Sequence, residues 1–221
     1  MAIDYTPVML ALAHPYPELE QWLAERFEAL NGRCVRRVHF DDLPAAAKRV
    51  QPQYVKAWLW DFVPSTTTHV LFLDFDVLPV RALPDLPDAP FVAAPDMQGF
   101  AERRALEYPT IADCGYFNAG FFVARRDTRP IFEQLKCFAV AQDSQDRTHG
   151  EFEQTTLNLL VQAGVGVTWL PYECNVIAIS DNSEAARTAI NMHMCGMSST
   201  PARWVILNAL RSILGVRTLN G

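Results

Sequence analysis

Short apolar runs alternate along the chain with longer segments in which apolar residues recur at helical spacing. An uncharged apolar run is typical of a strand buried on both faces, and the longer spacing is typical of an amphipathic helix. The apolar runs predict strands at residues 8–13, 34–40, 70–73, 91–94, 116–124, 165–170 and 189–194. The helical spacing predicts helices at residues 17–30, 54–62, 129–142, 152–162 and 202–214.

Alternation of strands and helices is typical of an α/β protein with a central, mostly parallel sheet flanked by helices. No linker or repeat divides the 221 residues, so we expect a single domain over residues 1–221. Residues 97–114 and 171–187 show no clear pattern and are expected to form surface loops. The four prolines between residues 79 and 90 predict a rigid connection.

Two carboxylates, Asp74 and Asp76, directly follow the apolar run at residues 70–73. Open α/β sheets bind ligands at the carboxyl ends of their strands, and an unpaired buried carboxylate costs several kcal/mol. A divalent cation that faces a phosphate would remove this cost. The simpler alternative is that both residues are solvated turn residues.

The predicted strand at residues 116–124 contains a polar residue, Asn118, followed by Ala119 and Gly120. A glycine inside a strand weakens it and often marks a close approach of a ligand to the backbone. The alternative is a β-bulge in which Asn118 satisfies backbone groups.

Polar residues also lie at a predicted helix start and at a predicted strand end. Glu153 is explained by the helix dipole, whereas Gln154 has a functional role if its side chain points into the same cleft as the carboxylates. His193 beside two carboxylates would form a mixed oxygen and nitrogen site that suits Mn²⁺ better than Mg²⁺. A structural histidine is the alternative, and zinc binding with Cys195 is disfavoured because no further cysteine or histidine is near in sequence.

Net charge, cysteine content and the lengths of the apolar runs exclude several classes of protein. The net charge of −6 excludes a general attraction to nucleic acid. Five irregularly spaced cysteines favour a reducing, cytoplasmic setting over a disulfide framework. The sequence shows no secretion signal and no apolar run of about 20 residues, so we expect a soluble protein. Residues 185–221 lack acids and carry four arginines, which allows at most peripheral membrane contact.

Four segments together resemble glycosyltransferase family 8, the glycogenin and lipopolysaccharide galactosyltransferase type. They are the apolar strand ending in Asp-x-Asp (71–78), Phe-Asn-Ala-Gly (117–120), Glu-Gln-Thr-Thr-Leu-Asn (153–158), and His-Met-Cys-Gly with the following Pro and Trp (193–204). The resemblance implies a single Rossmann-like GT-A domain. It also implies an enzyme that transfers a sugar, with retention, from a nucleotide sugar such as a UDP-sugar to an acceptor, with Mn²⁺ or Mg²⁺ as cofactor. The acceptor, whether carbohydrate, lipid or protein, is not specified.

The resemblance also implies roles for individual residues. Asp74 and Asp76 correspond to the pair that binds the metal and the diphosphate, and His193 corresponds to the third metal ligand. Gln154 corresponds to the residue beneath the anomeric carbon and, with Asp76, is the predicted catalytic residue. Asn118 and Ala119 correspond to residues that line the donor-sugar pocket.

Three further residues are expected to bind the donor. Lys56 occupies a helix in which the family carries a basic residue that faces the donor. Tyr16 is positioned to stack on the base. The family carries a lysine at the position of Thr200, and Arg203 is expected to supply the positive charge that this lysine would give to the diphosphate.

The chain departs from the family pattern at three places. Ala13 stands where the first strand of the family carries an aspartate that contacts the nucleotide, which puts the identity of the nucleotide in doubt. Glu153 replaces an aspartate and Thr155 another acid. Thr200 replaces a lysine.

Two other functions are compatible with parts of the sequence. A haloacid-dehalogenase-like phosphatase would use Asp74 as a nucleophile, but that family's later acidic metal segment is missing. A degenerate transferase domain would bind a sugar nucleotide without transferring the sugar.

Overall fold

A six-stranded sheet and a smaller three-stranded sheet organise the protein. The computed structural model describes residues 3–12, 17–96, 108, 113–141, 153–177 and 187–194. The strands are β1 Tyr5–Ala11, β2 Arg36–His39, β3 His69–Leu73, β4 Val77–Pro79, β5 Phe91–Pro95, β6 Phe117–Arg125, β7 Thr168–Trp169, β8 Val176–Ile177 and β9 Asn191–His193. The longer helices are α1 Pro17–Asn31, α2 Arg129–Ala141, α3 Glu153–Gly164 and the 3₁₀ helix Pro52–Asp61.

The large sheet has the strand order β2-β1-β3-β6-β5-β7. Strand β6 runs antiparallel to its neighbours β3 and β5, and every other pair is parallel. Five of the six strands therefore share one direction, so the predicted mostly parallel α/β sheet is confirmed.

Strand β3 lies inside the large sheet and is buried on both faces. Leu71 and Leu73 pack with residues of α1 on one face. Val70 and Phe72 pack on the other face with residues of α2 and of the 3₁₀ helix Pro52–Asp61. The uncharged run was the correct signal for this strand, because each face of the sheet is covered by helices.

The small sheet has the order β4-β9-β8, with β4 antiparallel to β9 and β8 parallel to it. The sequence did not predict β4, since prolines at residues 79–90 indicated only a connection. Its last residue, Pro79, pairs with Asn191 at the edge of the sheet, where proline is tolerated. The predicted strand at 189–194 shortens to β9 and belongs to this second sheet.

Several other predicted boundaries differ from the structure. The segment at 54–62 is a 3₁₀ rather than an α-helix, because aromatic spacing predicts burial but does not distinguish the two hydrogen-bond patterns. The strand at 165–170 is only the two-residue β7, and the region 171–187 contains a 3₁₀ turn and β8. The predicted helix at 202–214 lies outside the described residues. Within the described part of the chain, no helix combines the length and apolar character needed to cross a bilayer.

Candidate active site

Two backbone hydrogen bonds hold the turn that carries Asp74 and Asp76. The backbone N–H of Asp74 donates to the carbonyl of Gly120 at 2.8 Å, which continues the pairing of β3 with β6. The backbone N–H of Met194 donates to the carbonyl of Asp76 at 3.0 Å, which ties the turn to the end of β9. The carboxylates are thereby fixed at the carboxyl end of β3, where ligands of α/β sheets bind.

The small sheet brings His193 to the same place. Val77 of β4 pairs with His193 of β9, and Nε2 of His193 lies 3.1 Å from Oδ1 of Asp76. The imidazole packs on the backbone of β6 at Gly120, where an added Cβ would lie 2.8 Å from each ring nitrogen. The glycine therefore marks a close approach, but the approaching group is the side chain of His193 rather than a ligand.

Asp74, Asp76 and His193 form a group that can hold a cation. Their ligand atoms all lie within 4.8 Å of one another, and no other group of three such residues was found in the described segments. Ligands of an ion bound at about 2.2 Å lie at most about 4.4 Å apart, so this spacing is close to that of a metal site. Nδ1 of His193 is buried and has no hydrogen-bond partner among the described residues. The donor set and its spacing fit a divalent cation such as Mn²⁺.

Lys56 lies beneath the carboxylates with its side chain only 3% exposed. Its Nζ lies 2.7 Å from Oε1 of Glu153 and 3.6 Å from Oδ2 of Asp74. It also donates a hydrogen bond of 3.0 Å to the carbonyl of Ala119 and lies 5.0 Å from the centre of the Phe72 ring. The buried ammonium is therefore held by three oxygen atoms and one aromatic face.

The pKa values of four groups in the cluster are all shifted upward. Burial alone would lower the pKa of Lys56, but the carboxylates of Asp74 and Glu153 reverse this effect and raise it. Burial would likewise lower the pKa of His193, and Asp76 reverses the effect. Burial raises the pKa of Asp74 and of Glu153 against the opposing influence of Lys56. All four groups thus favour the more positively charged form, and a bound cation would supply the missing charge.

Gln154 is oriented by two hydrogen bonds. Its Oε1 accepts from the backbone N–H of Ala119 at 3.0 Å, and its Nε2 donates to Oδ2 of Asp96 at 2.9 Å. The buried Asp96 follows β5, which runs parallel to β3, so both strands end at the same edge of the sheet. Asp96 was not predicted as a site residue, although an acid after the apolar run 91–94 is a signal like that of Asp74.

Asn118 lies in an irregular part of β6. Ala93 pairs with Phe122 but Pro95 with Phe117, so β6 contains extra residues between these pairs. Oδ1 of Asn118 accepts hydrogen bonds from the backbone N–H of Gly120 at 2.9 Å and from Nδ2 of Asn175 at 3.2 Å. The β-bulge alternative thus describes this segment correctly, and bulges are common beside active sites.

The structure therefore brings most of the predicted site residues to one edge of the sheet. Those that lie there, directly or through the contacts described above, are Lys56, Asp74, Asp76, Asn118, Ala119, Gln154 and His193. Tyr16 and Arg203 lie outside the described residues. Glu153, which the sequence analysis assigned to the helix dipole, belongs to the buried charge cluster.

Comparisons with known proteins bear on the fold. The sequence matches no protein-family model and no curated protein. Its structure is similar to that of a glycosyltransferase involved in the glycosylation of the major capsid of PBCV-1, with a TM-score of 0.65 and 17% identity over 92% of this chain and 99% of the other.

Two other solved structures are similar over most of their length. Galactosyltransferase LgtC, in complex with donor and acceptor sugar analogs, gives a TM-score of 0.64 and 19% identity over 98% of this chain and 97% of the other. Mouse xyloside xylosyltransferase 1 gives a TM-score of 0.52 and 13% identity over 86% of this chain and 97% of the other. The protein therefore has the GT-A fold of these glycosyltransferases, as its sequence motifs predicted.

Proposed function

We propose that the protein is a metal-dependent glycosyltransferase that moves a sugar from a nucleotide-sugar donor to an acceptor. The observation that carries this proposal is the convergence of Asp74, Asp76 and His193 at one edge of a GT-A sheet. His193 lies far from the two aspartates in sequence, yet its Nε2 lies 3.1 Å from Oδ1 of Asp76. Buried acids without sufficient counter-charge indicate a site built for a cation.

The metal-binding residues would act on the leaving group. Asp74, Asp76 and His193 would hold Mn²⁺ or Mg²⁺, and the bound cation would neutralise the charge that develops on the departing diphosphate. The negative charges of Asp74 and Asp76 would repel the diphosphate unless a cation lay between the carboxylates and the diphosphate. Asp76 would therefore contribute to catalysis through the cation that it holds.

Gln154 would lie beneath the anomeric carbon and orient the donor sugar. Its amide is a poor nucleophile, and its Oε1 already accepts a hydrogen bond from Ala119. We therefore propose retention by departure and attack on the same face, with the leaving phosphate accepting the proton of the acceptor. Asn118 and Ala119 would shape the neighbouring sugar pocket.

The donor is proposed to be a UDP-sugar, in line with the family-8 resemblance, and Tyr16 and Arg203 are proposed to bind it. The solved complex of LgtC with donor and acceptor sugar analogs supports a site for two sugar substrates. Ala13, in place of an acidic nucleotide contact, makes the choice of base the first property to measure. Four cysteines that the structure describes are free thiols, which supports a cytoplasmic setting.

The phosphatase alternative is not favoured. The structural neighbours are glycosyltransferases, and a phosphatase would leave the approach of His193 to Asp76 without a function. Release of phosphate from simple phosphomonoesters, without sugar-nucleotide turnover, would favour the phosphatase alternative.

Thermal unfolding with a panel of nucleotide sugars, each with and without Mn²⁺, tests the proposal. A donor that binds the folded protein raises the Tm by mass action, and we expect a UDP-sugar to do so only when Mn²⁺ is present. Hydrolysis or transfer of the stabilising donor would then identify the sugar. A panel in which no nucleotide sugar changes the Tm or is consumed would contradict the proposed function. A donor that binds but is neither hydrolysed nor transferred would indicate the degenerate-domain alternative.

A further inference from the structure

Glu153 is unusual for an acid in the first turn of a helix because its side chain is only 7% exposed. Acids at helix starts are normally solvated and interact with the helix dipole. This carboxylate instead points into the protein and contacts Lys56. A buried carboxylate needs a partner, so its position calls for an explanation beyond the helix dipole.

The ammonium group of Lys56 is not shared equally among its neighbours. An ammonium has three N–H donors, and the three oxygen atoms around Lys56 belong to Glu153, Ala119 and Asp74. The distances are 2.7 Å to Glu153 and 3.0 Å to the Ala119 carbonyl, but 3.6 Å to Asp74. The first two are hydrogen bonds, whereas the third is too long for one. The ammonium therefore lies on the side of Glu153.

We propose that Glu153 is a positioning residue that holds the ammonium of Lys56 away from Asp74 and so leaves the Asp74 carboxylate available to a divalent cation. The inference rests on the metal site of the proposed function. Lys56 is enclosed by the core and hydrogen-bonded to Ala119, so its ammonium cannot escape into solvent. Without the charge of Glu153, Asp74 becomes its nearest carboxylate, and the present ion pair of 3.6 Å shortens to a hydrogen-bonded one.

The charge balance leads to the same conclusion. With Glu153 present, its charge compensates that of Lys56, and Asp74 and Asp76 keep two negative charges for a divalent cation. Without it, Lys56 compensates Asp74, and one negative charge is left. A cation would then have to displace the ammonium from the partly buried carboxylate of Asp74 before it could bind.

Titration of Mn²⁺ alone into the full-length, metal-free protein tests the inference. Loss of a residue that supports a metal ligand typically weakens metal binding 10- to 100-fold, and we expect a loss of about this size for Glu153→Gln. The double variant Lys56→Gln with Glu153→Gln removes both charges and the competitor. We expect it to bind Mn²⁺ within about threefold of the wild type, since its net charge around the carboxylates is unchanged.

A matched control is available on the surface. Glu133 lies 3.0 Å from Lys136 on α2, in an exposed ion pair that is not part of the site. Glu133→Gln removes one carboxylate from this Lys–Glu pair and should leave Mn²⁺ affinity unchanged. Unfolding in EDTA establishes that each variant is folded. If Glu153→Gln does not fold, a loss of tenfold or more in the double variant still overturns the inference.

The outcomes separate this inference from the proposed function. Wild-type affinity in Glu153→Gln, or a loss of tenfold or more in the double variant, would overturn the inference. Absence of Mn²⁺ binding by the wild type would overturn both the metal site and the inference. Mn²⁺ binding that follows the expected pattern, in a protein that recognises no nucleotide sugar, would uphold the inference and contradict the proposed function.

Discussion

The two ends of β3 carry the same kinds of side chain in opposite surroundings. At its start, His69 and Arg125 are paired across β3 and β6 and contact Asp88 and Asp127, whose side chains are 64% and 56% exposed. Beyond its other end lie the mostly buried side chains of Lys56, Asp74, Asp76, Glu153 and His193. Histidine, basic and acidic groups meet at both ends, so residue type alone does not distinguish them.

The pKa of Asp127 at the exposed end is shifted in the opposite direction to the pKa values of Asp74 and Glu153 at the buried end. At the exposed end, hydrogen bonds from Arg125 lower the pKa of Asp127. At the buried end, burial raises the pKa of Asp74 and of Glu153 although Lys56 is close to both. Water screens the exposed ion pairs, which contribute little, whereas buried acids with too few counter-charges favour binding of a cation. Cation binding is therefore expected at the buried, carboxyl-terminal end of β3.

Replacement of Asp76 by Ala should give the largest effect. The change removes a predicted metal ligand at the buried end, and loss of a supporting residue alone costs 10- to 100-fold in metal affinity or activity, so we expect at least about 100-fold lower transfer. Rates with the donor found in the Tm panel, measured over a range of Mn²⁺ concentrations, test this. The matched exposed variant Asp88→Ala should retain full activity. Equal activity in both variants would contradict the difference between the two ends.

Gly120→Ala should disrupt the buried end without changing any charge. An added Cβ would lie 2.8 Å from each ring nitrogen of His193, so the imidazole must move. Overpacking of this kind typically costs about 1–3 kcal/mol, and displacement of His193 should also weaken Mn²⁺ binding. Urea unfolding in EDTA and a Mn²⁺ titration measure the two effects.

A second glycine provides the control for this change. At Gly164, a Cβ would lie 3.2 Å from the flexible end of Ile131, which can shift. Gly164→Ala should therefore have a smaller effect on the free energy of unfolding and no effect on Mn²⁺ binding. Unaltered Mn²⁺ affinity in Gly120→Ala would mean that His193 is not a ligand.

Asp96→Leu should lower transfer while leaving Mn²⁺ affinity unchanged. The leucine cannot accept the hydrogen bond from Nε2 of Gln154, so the amide loses its fixed orientation. Misplacement of a group beside the reacting atoms can cost up to about 100-fold, and we expect roughly tenfold lower kcat. Asp96→Asn, which keeps an acceptor oxygen, should retain most of the activity. A fall in Mn²⁺ affinity instead of kcat would show that Asp96 supports the metal site.

Asp127→Asn at the exposed end should have the smallest effect. The folded-state pKa of Asp127 is lowered, so its stabilising contribution is present above about pH 4 and is lost as the pH falls through the folded value. An exposed ion pair contributes less than about 1 kcal/mol. Unfolding free energies at pH 7 and pH 3 should therefore differ slightly less in the variant than in the wild type. A large effect at pH 7 would mean that the exposed cluster has an unrecognised role.

The sequence predicted the large sheet better than the small one. Strand β3, its neighbours β1 and β6, and the next strand β5 are long enough to bury several apolar residues, so their apolar runs identified them. Strands β4 and β8 have three and two residues and leave almost no periodic signal. Short strands form because of the partners that they find in the folded protein, and a local pattern does not contain those partners.

The candidate site shows the same division. Asp74 and Asp76 could be recognised because they directly follow an apolar strand. Asp96 follows the apolar run 91–94 and carries a local signal like that of Asp74, but it was overlooked. Glu153 could not be assigned from local sequence, since an acid at a helix start has an ordinary explanation. The role of Glu153 depends on Lys56, and the role of Asp96 depends on Gln154. In each pair the two residues lie far apart in sequence.

The sequence by itself determined the α/β class, the buried central strand and the positions of two carboxylates, because each depends on residues close together in the chain. The tertiary structure decided that β9 turns into a second sheet and places His193 on Gly120 beside Asp76. It also decided which acids are buried around Lys56. Burial and long-range pairing set the charge balance of the site, and neither property belongs to any single segment of the sequence.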